Sequence, residues 1–517
     1  TGSLLVTGAG STWNQLGTAF IGFQGAGQLT VAESAQANFN NTVTVGVADG
    51  GTGTLSLLSS ATGNFSASVI LGQNAGSTGH FNMDGSATAV SSTAAMANFV
   101  VGREGAGNLT VTGGSSLTVG DAANVGGNDN ELILGQFATG QGIASVLGAS
   151  SSIVASNLVV GAEGIGNFSV TDGALTSVSG TTALGYEAAG AGVVLVAGSG
   201  SQLSTTELQV GRASTANSAL TVSAGGVVNV GGTTFVAALS GSSGSLLVDG
   251  VGSTIFSNSA QLGGEGFVQG GVGSLSVTGG GLGQIASTMV LYDQGSLQVD
   301  SLSRVDIGLP GGQLGAVNVN AGGQLGGTGF VSADVRVGAG GALLPGLNSV
   351  GTLDIDGSLF MQSIDPLSRS IYGWDLSDAG LASDLIGGSS ISAVHDRIFL
   401  SQGGDILLDN AQLVLNELAG FGDSFDPTQS YSWRVMEING NGDISLLNST
   451  TLSFSGSMAI QNAINSNLGS VSFGIGNAGG SNQFLALSYS AVPEPSSVGL
   501  CILIAATGLL RRRRGMR

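Results

Sequence analysis

One motif recurs at a nearly fixed interval and constrains the fold more than any other feature. It is Gly-x-Gly followed by an apolar–polar–apolar run. Copies read GAGQLTV (25–31), GTGTLSL (51–57), GAGNLTV (105–111), GIGNFSV (164–170), GAGVVLV (190–196) and GVGSLSV (271–277). Between them lies a second element, an apolar stretch ending in Gly: FIG (20–22), TVG (44–46), ILG (70–72), VVG (100–102), ILG (133–135), VVG (159–161), ALG (183–185), QVG (209–211) and QLG (261–263). The second Gly of the first motif falls at 27, 53 and 79, then at 166, 192, 218 and 244, with Ser218 replacing Gly; both runs step by 26 residues. From 107 to 142 the spacing stretches to 35, and after 273 it shrinks to 22 and 20.

Alternation of apolar and polar residues in Leu-Thr-Val is the signature of a half-buried strand. β-Branched residues dominate, and Gly clusters interrupt the chain every few positions. A helix would lose about 1 kcal/mol at each interior Gly. One coil of this size cannot bury its apolar face alone. Stacking coils at the ~4.8 Å strand spacing lets each Leu and Val sit on its counterpart above and below. The repeat therefore predicts an all-β fold, a β-solenoid or parallel β-helix of Gly-rich coils of about 26 residues. About 14 such coils fit before residue 360, a rod of roughly 65–70 Å. A sandwich or barrel of regular hairpins is the alternative, and sandwiches are not written as 26-residue repeats.

Composition divides the chain into three. Residues 1–360 hold 73 of the 92 Gly, 19 acids and four Arg. Residues 361–491 hold 16 Gly, 12 acids, two of the three Trp and three of the five Tyr. They read as a β-rich capping domain, since a solenoid end exposes unpaired edges, or as a wider, decorated continuation of the coil. Its strands are expected at 370–376, 396–402, 411–418, 431–438, 451–455 and 483–489, and its acids at turns, as with Asp405, Asp423 and Asp443. Residues 492–517 carry five of the 12 Arg; the remainder has 31 acids against seven Arg. There is no Lys, and so little basic charge excludes nucleic acid as a partner. Only one Cys is present, which excludes a disulfide scaffold.

The segments GGQLGGTGFV (322–331), VRVGAGGALLPG (335–346) and VGTLDIDGSL (350–359), with the repeats before them, resemble the autotransporter-associated β-strand repeats of bacterial surface proteins. In that family such a segment closes the solenoid. No translocating outer-membrane barrel follows here, so that export route is not implied.

The tail reads VPEPSSVGLCILIAATGLLRRRRGMR. Its apolar stretch of 15 residues, Ser496 to Leu510, would form a short transmembrane helix of about 22 Å. Arg511, Arg512, Arg513 and Arg514 hold that end in the cytoplasm. A Pro-Glu-Pro motif, a short apolar segment and a terminal Arg cluster, in that order, closely resemble the PEP-CTERM sorting signal of Gram-negative bacteria. A tail of this kind also goes under the name of an ice-binding protein C-terminal domain, which describes an address rather than an activity. The resemblance implies recognition of Pro493, Glu494 and Pro495 by an exosortase-type sorting enzyme. It also implies a membrane-anchored or released protein at the cell surface or in the extracellular matrix. Thr1 begins mid-repeat, without Met or an h-region, so a signal peptide and further coils are expected to precede it.

Candidate chemistry is sparse. His80 occupies a repeat position where other copies carry Gln, Thr, Asn or Ser, and reads as a solvent-facing variant. His395-Asp396-Arg397 is the densest titratable trio, with Asp375, Asp378 and Asp384 upstream; packing at a turn and strand edge is the default reading. Gly126-Gly127-Asn128-Asp129 and Asn439-Gly440-Asn441-Gly442-Asp443 look like Ca²⁺ nonapeptide pieces but do not recur at nine residues. Asp354 and Asp356 alternate on one strand face. No catalytic, cofactor or metal residue is assigned. One face carries a column of outward residues: Thr30, Ser56, Asn82, Thr110, Ser145, Ser169, Leu195, Thr221, Leu247 and Ser276. The expectation is a non-catalytic surface or matrix protein acting in adhesion, biofilm or envelope structure, with extracellular polysaccharide or the cell surface as partner. The rivals are a β-helix polysaccharide lyase or hydrolase, marked by Asp and Arg clustered on one face, and an ice-binding protein. Thr holds only three of the ten ladder positions, whereas ice binding favours regular Thr-x-Thr arrays.

Overall fold

In the computed structural model, each repeat closes into one coil with three faces. One such coil runs Thr52–Leu58, Thr62–Phe65 and Val69–Leu71, and the next follows 26 residues on with Thr78–Asp84. The structure describes residues 1–492 except 92–96, 121–129, 267, 310–312, 348, 364–367, 378–394, 419–420, 449, 456–458 and 478–481. Among these, seventeen strands stack in one sheet, the first face. The second and third faces belong to one larger sheet, because strands such as Leu175–Leu184 run from one face onto the next. The register shifts at Val178/Thr181, where that strand turns.

Register follows the motif. Leu29 pairs with Leu55, Leu55 with Phe81 and Phe81 with Leu109, and all four are buried. Each buried Leu or Phe in such a column contributes about 2 kcal/mol of transfer free energy. The Phe39 and Phe65 rings stack at 4.8 Å, and Trp13 meets Phe39 edge-on.

Both repeated glycines are required by close backbone approach. Gly161, from VVG, has φ +71°, and a Cβ there would lie 2.2 Å from the Ala191 carbonyl oxygen of the next coil. Gly53, from GTG, would put a Cβ 2.1 Å from the Ile21 carbonyl oxygen. Ser218, the exception, is buried, and its Oγ accepts the Gly192 N–H at 3.2 Å.

A buried serine ties successive corners between the first and second faces. Ser201 Oγ donates to the Ala197 carbonyl at 2.7 Å and accepts the Gly173 N–H at 3.0 Å. Ser253 repeats this two coils on, with Asp249 and Gly225. On the second face Asn64 donates to Asn38 and Asn38 to Asn14, at 2.8 and 2.7 Å.

One expectation needs correcting. The shrunken spacing after 273 is one short coil, since Gly273 pairs with Gly295, but the next step is not 20 residues: Ser296 pairs with Gln324. The Gly spacing misleads there because the chain detours through the antiparallel bridge Gly308–Leu314. The parallel stack continues past residue 360. Ser370–Leu376 pairs in parallel with Ala411–Glu417, which pairs with Thr451–Ser455. These coils are longer: Asp375 and Asn416, adjacent across the stack, are 41 residues apart. Antiparallel pairing of long strands comes at the end, where Gln483–Ala491 lies against Tyr431–Ile438 and against Gly469–Asn477. This hairpin covers the last second-face strand. Among the described residues no helix is long and apolar enough to cross a membrane. The expected transmembrane segment, with Pro493, Glu494, Pro495 and Arg511 to Arg514, lies outside the described residues.

Candidate functional site

The outward column on the first face stacks as its spacing requires. Thr30 pairs with Ser56, Ser56 with Asn82, Asn82 with Thr110, and the pairing continues to Ser276. Ser169 Oγ donates to Ser145 Oγ at 3.1 Å. His80 stands one column away, half-buried between Thr54 and Asn108. The column from Thr30 to Ser276 carries no charged residue, so it is able to stack or adhere and supplies no group for acid–base chemistry.

Charge collects elsewhere. Five of the seven Arg before residue 492 lie between Arg304 and Arg434, and three of them stand on the second face. There Arg304 pairs in register with Phe330, Phe330 with Asp354, Asp354 with Phe399 and Phe399 with Glu437. The Arg304 guanidinium lies 4.3 Å from the centre of the Phe330 ring and is ion-paired with Asp306. Arg397 and Arg434 both meet Glu437, at 3.2 and 3.6 Å, with all three side chains largely buried. Arg434 also lies 4.5 Å over the Phe484 ring of the terminal hairpin. The Glu437 network thus fastens the cap to the second face. Asp354 lies among these groups, and burial raises its carboxyl above the usual range, with Asp356 beside it acting in the same direction. Asp356 is within 3.3 Å of Ser332 Oγ.

The second face also holds a cavity of about 690 Å³ beside Arg304. Its floor is one outward column in which Phe256 pairs with Gln284, Gln284 with Asp306 and Asp306 with Ser332. Leu309 and Leu314 flank it.

The trio His395, Asp396 and Arg397 diverges. His395 is buried against Trp374, with Nδ1 2.8 Å from the Asp396 carbonyl oxygen. Asp396 turns inward: its carboxylate accepts the Asp375 N–H at 2.9 Å and the Gly351 N–H at 2.8 Å. Arg397 turns outward to Glu437. Burial pushes the Asp396 carboxyl up to about 8 despite those two donors, and the neighbouring Asp375 adds to the rise. Burial also raises Asp375, which accepts from Asn416 at 3.0 Å. Both acids line a cavity of about 400 Å³ on the first face, with Gln298, Gln324 and Asn416. Perturbed acids in a cavity are a common mark of functional sites, and buried structural acids carry the same mark. Asp378 and Asp384 lie outside the described residues.

Among the described residues, no group of three or more His, Cys, Asp or Glu is placed to hold a metal ion. Gly126-Gly127-Asn128-Asp129 lies outside them. In the other Gly-Asn-Asp segment, Asp443 holds a corner: its N–H goes to Asp405 Oδ1 at 3.0 Å, and its own Oδ1 accepts from Gln483 at 3.1 Å. Asp423 lies on the short helix Phe421–Ser424.

Sequence reasoning missed the second-face strip, because unequal coils hide which of Arg304, Asp354 and Glu437 stack. It also missed the corner serines, although Gly-x-Gly-Ser at 198–201 and 250–253 was a readable signal.

No protein-family model and no curated protein matches the chain. Among solved structures it is similar to the crystal structure of a TibC-catalysed, hyper-glycosylated TibA fragment, residues 55–350. That chain is 13% identical, covers 86% of this one and is itself covered over 100%, with a TM-score of 0.30. At that score the fold assignment rests on the strand register described above.

Proposed function

We propose that this chain is an exported, non-catalytic rod of the cell surface or extracellular matrix, serving adhesion, biofilm or envelope structure. The observation that carries this reading is the parallel register running from Gly2 to Ser455. Seventeen first-face strands at ~4.8 Å make a rod of roughly 75–80 Å. An uncharged column of short side chains, Thr30 to Ser276, runs along much of that length, which suits a spacer or adhesive scaffold. The tail supplies the address in this reading. An exosortase-type enzyme recognises Pro493, Glu494 and Pro495, the apolar segment enters the membrane, and Arg511 to Arg514 retain its cytoplasmic end. Extracellular polysaccharide or the cell surface is the partner.

Co-sedimentation of the chain with the producer's own matrix polysaccharide and cells tests this, with reducing ends measured in the same tubes. Saturable binding without sugar release is expected. Release of reducing ends would replace this reading with the second one, a β-helix lyase or hydrolase. That second reading is favoured by the raised acids Asp375 and Asp396 in their shared cavity, since a general acid needs an elevated pKa.

A further inference from the structure

The second-face cavity has features that the rod itself does not need. Its floor is a column of four outward side chains, Phe256, Gln284, Asp306 and Ser332, one per coil. Phe256 is 39% exposed, an aromatic face left in solvent where neighbouring coils carry polar residues. The side-chain amides of Gln284 and Asn258, both lining the cavity, form no hydrogen bond with another described residue. The charges cancel locally, because Asp306 is ion-paired with Arg304. An anionic ligand therefore meets no net positive charge, and a cation meets no net negative one.

What remains is an apolar ring face, two amides able both to donate and to accept, a hydroxyl, and a neutralised carboxylate with acceptor capacity left over. A volume of about 690 Å³ is in the range of ligand clefts, and an apolar lining with a few orienting polar groups is their usual composition. A pyranose ring matches that list, with an apolar C–H face for the aromatic ring and hydroxyls at its edge. The column also repeats at the ~4.8 Å coil spacing, close to the advance of one sugar in an extended chain.

We infer that this groove binds a neutral, extended, β-linked hexopyranose chain running along the solenoid axis, about one sugar per coil from Phe256 to Ser332. The inference rests on the surface-rod reading and specifies its polysaccharide class. Phe256 stacks on a sugar face; Gln284 and Asp306 take hydroxyl edges; Leu309 and Leu314 flank the chain.

Calorimetric titration of the full chain with cellohexaose tests it, alongside a galacturonic acid hexamer as the anionic counterpart. Cellohexaose is expected to bind, at least tenfold more weakly to the F256A and Q284A variants. Phe20→Ala, which removes an exposed aromatic ring from the N-terminal coil, is expected to change nothing. Unchanged melting temperatures show that the variants fold. Three results would overturn the inference: no binding of cellohexaose, equal binding by F256A, or preference for the acidic hexamer. The two readings fail separately. A chain that co-sediments with matrix equally well as wild type and as F256A removes the groove and keeps the surface rod. Phe256-dependent binding with release of reducing ends keeps the groove and removes the non-catalytic reading.

Discussion

The coils before about residue 300 and those after it share one stacking register and differ in what they hold. The earlier coils are short and repetitive. Their glycines pass within van der Waals reach of the next backbone, and the first-face column from Thr30 to Ser276 holds small polar or aliphatic residues. Among the later coils some strands 41 residues apart in sequence lie side by side, and the second face carries Arg, Asp and aromatic side chains. Among the described residues, burial raises one carboxyl in the earlier part, Glu131, and three in the later part, Asp354, Asp375 and Asp396. Carboxyls raised by burial are thus concentrated in the later coils, whereas the groove floored by Phe256 and Gln284 begins in the earlier ones.

The largest expected effect probes the later coils. Asp396 titrates near 8 when folded and near 3.9 when unfolded. Between those values the folded chain holds a proton that the unfolded chain has lost. Its contribution is therefore complete below about pH 4, falls as pH rises through about 8, and is flat above, with a ceiling of about 6 kcal/mol. Thermal melting at pH 5 and pH 8.5 should show this loss superimposed on general charge repulsion, and D396N should show a flatter slope. An equal slope in D396N would remove Asp396 as its cause.

Gly161→Ala probes the earlier coils. The clash with the Ala191 carbonyl and the positive φ should together cost about 3 kcal/mol in guanidinium unfolding. Gly474→Ala in the terminal hairpin, where a Cβ meets nothing within 4 Å, should cost under about 0.5 kcal/mol. Similar losses at both sites would erase the contrast between tight and roomy coils.

Glu437→Gln should cost about 2 kcal/mol, because two largely buried guanidiniums lose their shared carboxylate. Limited proteolysis should then cut the 469–491 hairpin first, and uniform cutting along the rod would show that Glu437 does not hold the cap. Asn38→Ala, which severs the ladder to Asn14 and Asn64, should cost about 1 kcal/mol in guanidinium unfolding, above the loss expected for Gly474→Ala; no loss would show that the ladder does not stabilise the early coils.

Sequence legibility follows the same division. Thr30 to Ser276 could be placed in one column before any coordinates, because a two-residue strand period and a near-constant coil length leave one register. All six strands expected after residue 361 are present, but Ile406–Asp409, Ile444–Leu447 and Gly469–Asn477 were not anticipated. The third-face pieces are four residues long and carry no Gly-x-Gly marker. The meeting of Asp375 with the Asp396 carboxylate depends on how the chain between them returns, and no local pattern encodes that. Arg304 over Phe330 depends on a coil whose Gly spacing points to the wrong partner.

The parallel register also has a mechanical consequence. Hydrogen bonds between coils run along the rod axis, so tension between its two ends loads them in the peeling direction, one coil at a time. Each 26-residue coil that lets go releases roughly 85 Å of chain while its neighbours stay closed. Under such a pull the early coils yield as a series of small, similar steps, and the hairpin fastened through Glu437 and Phe484 guards the far end against unravelling.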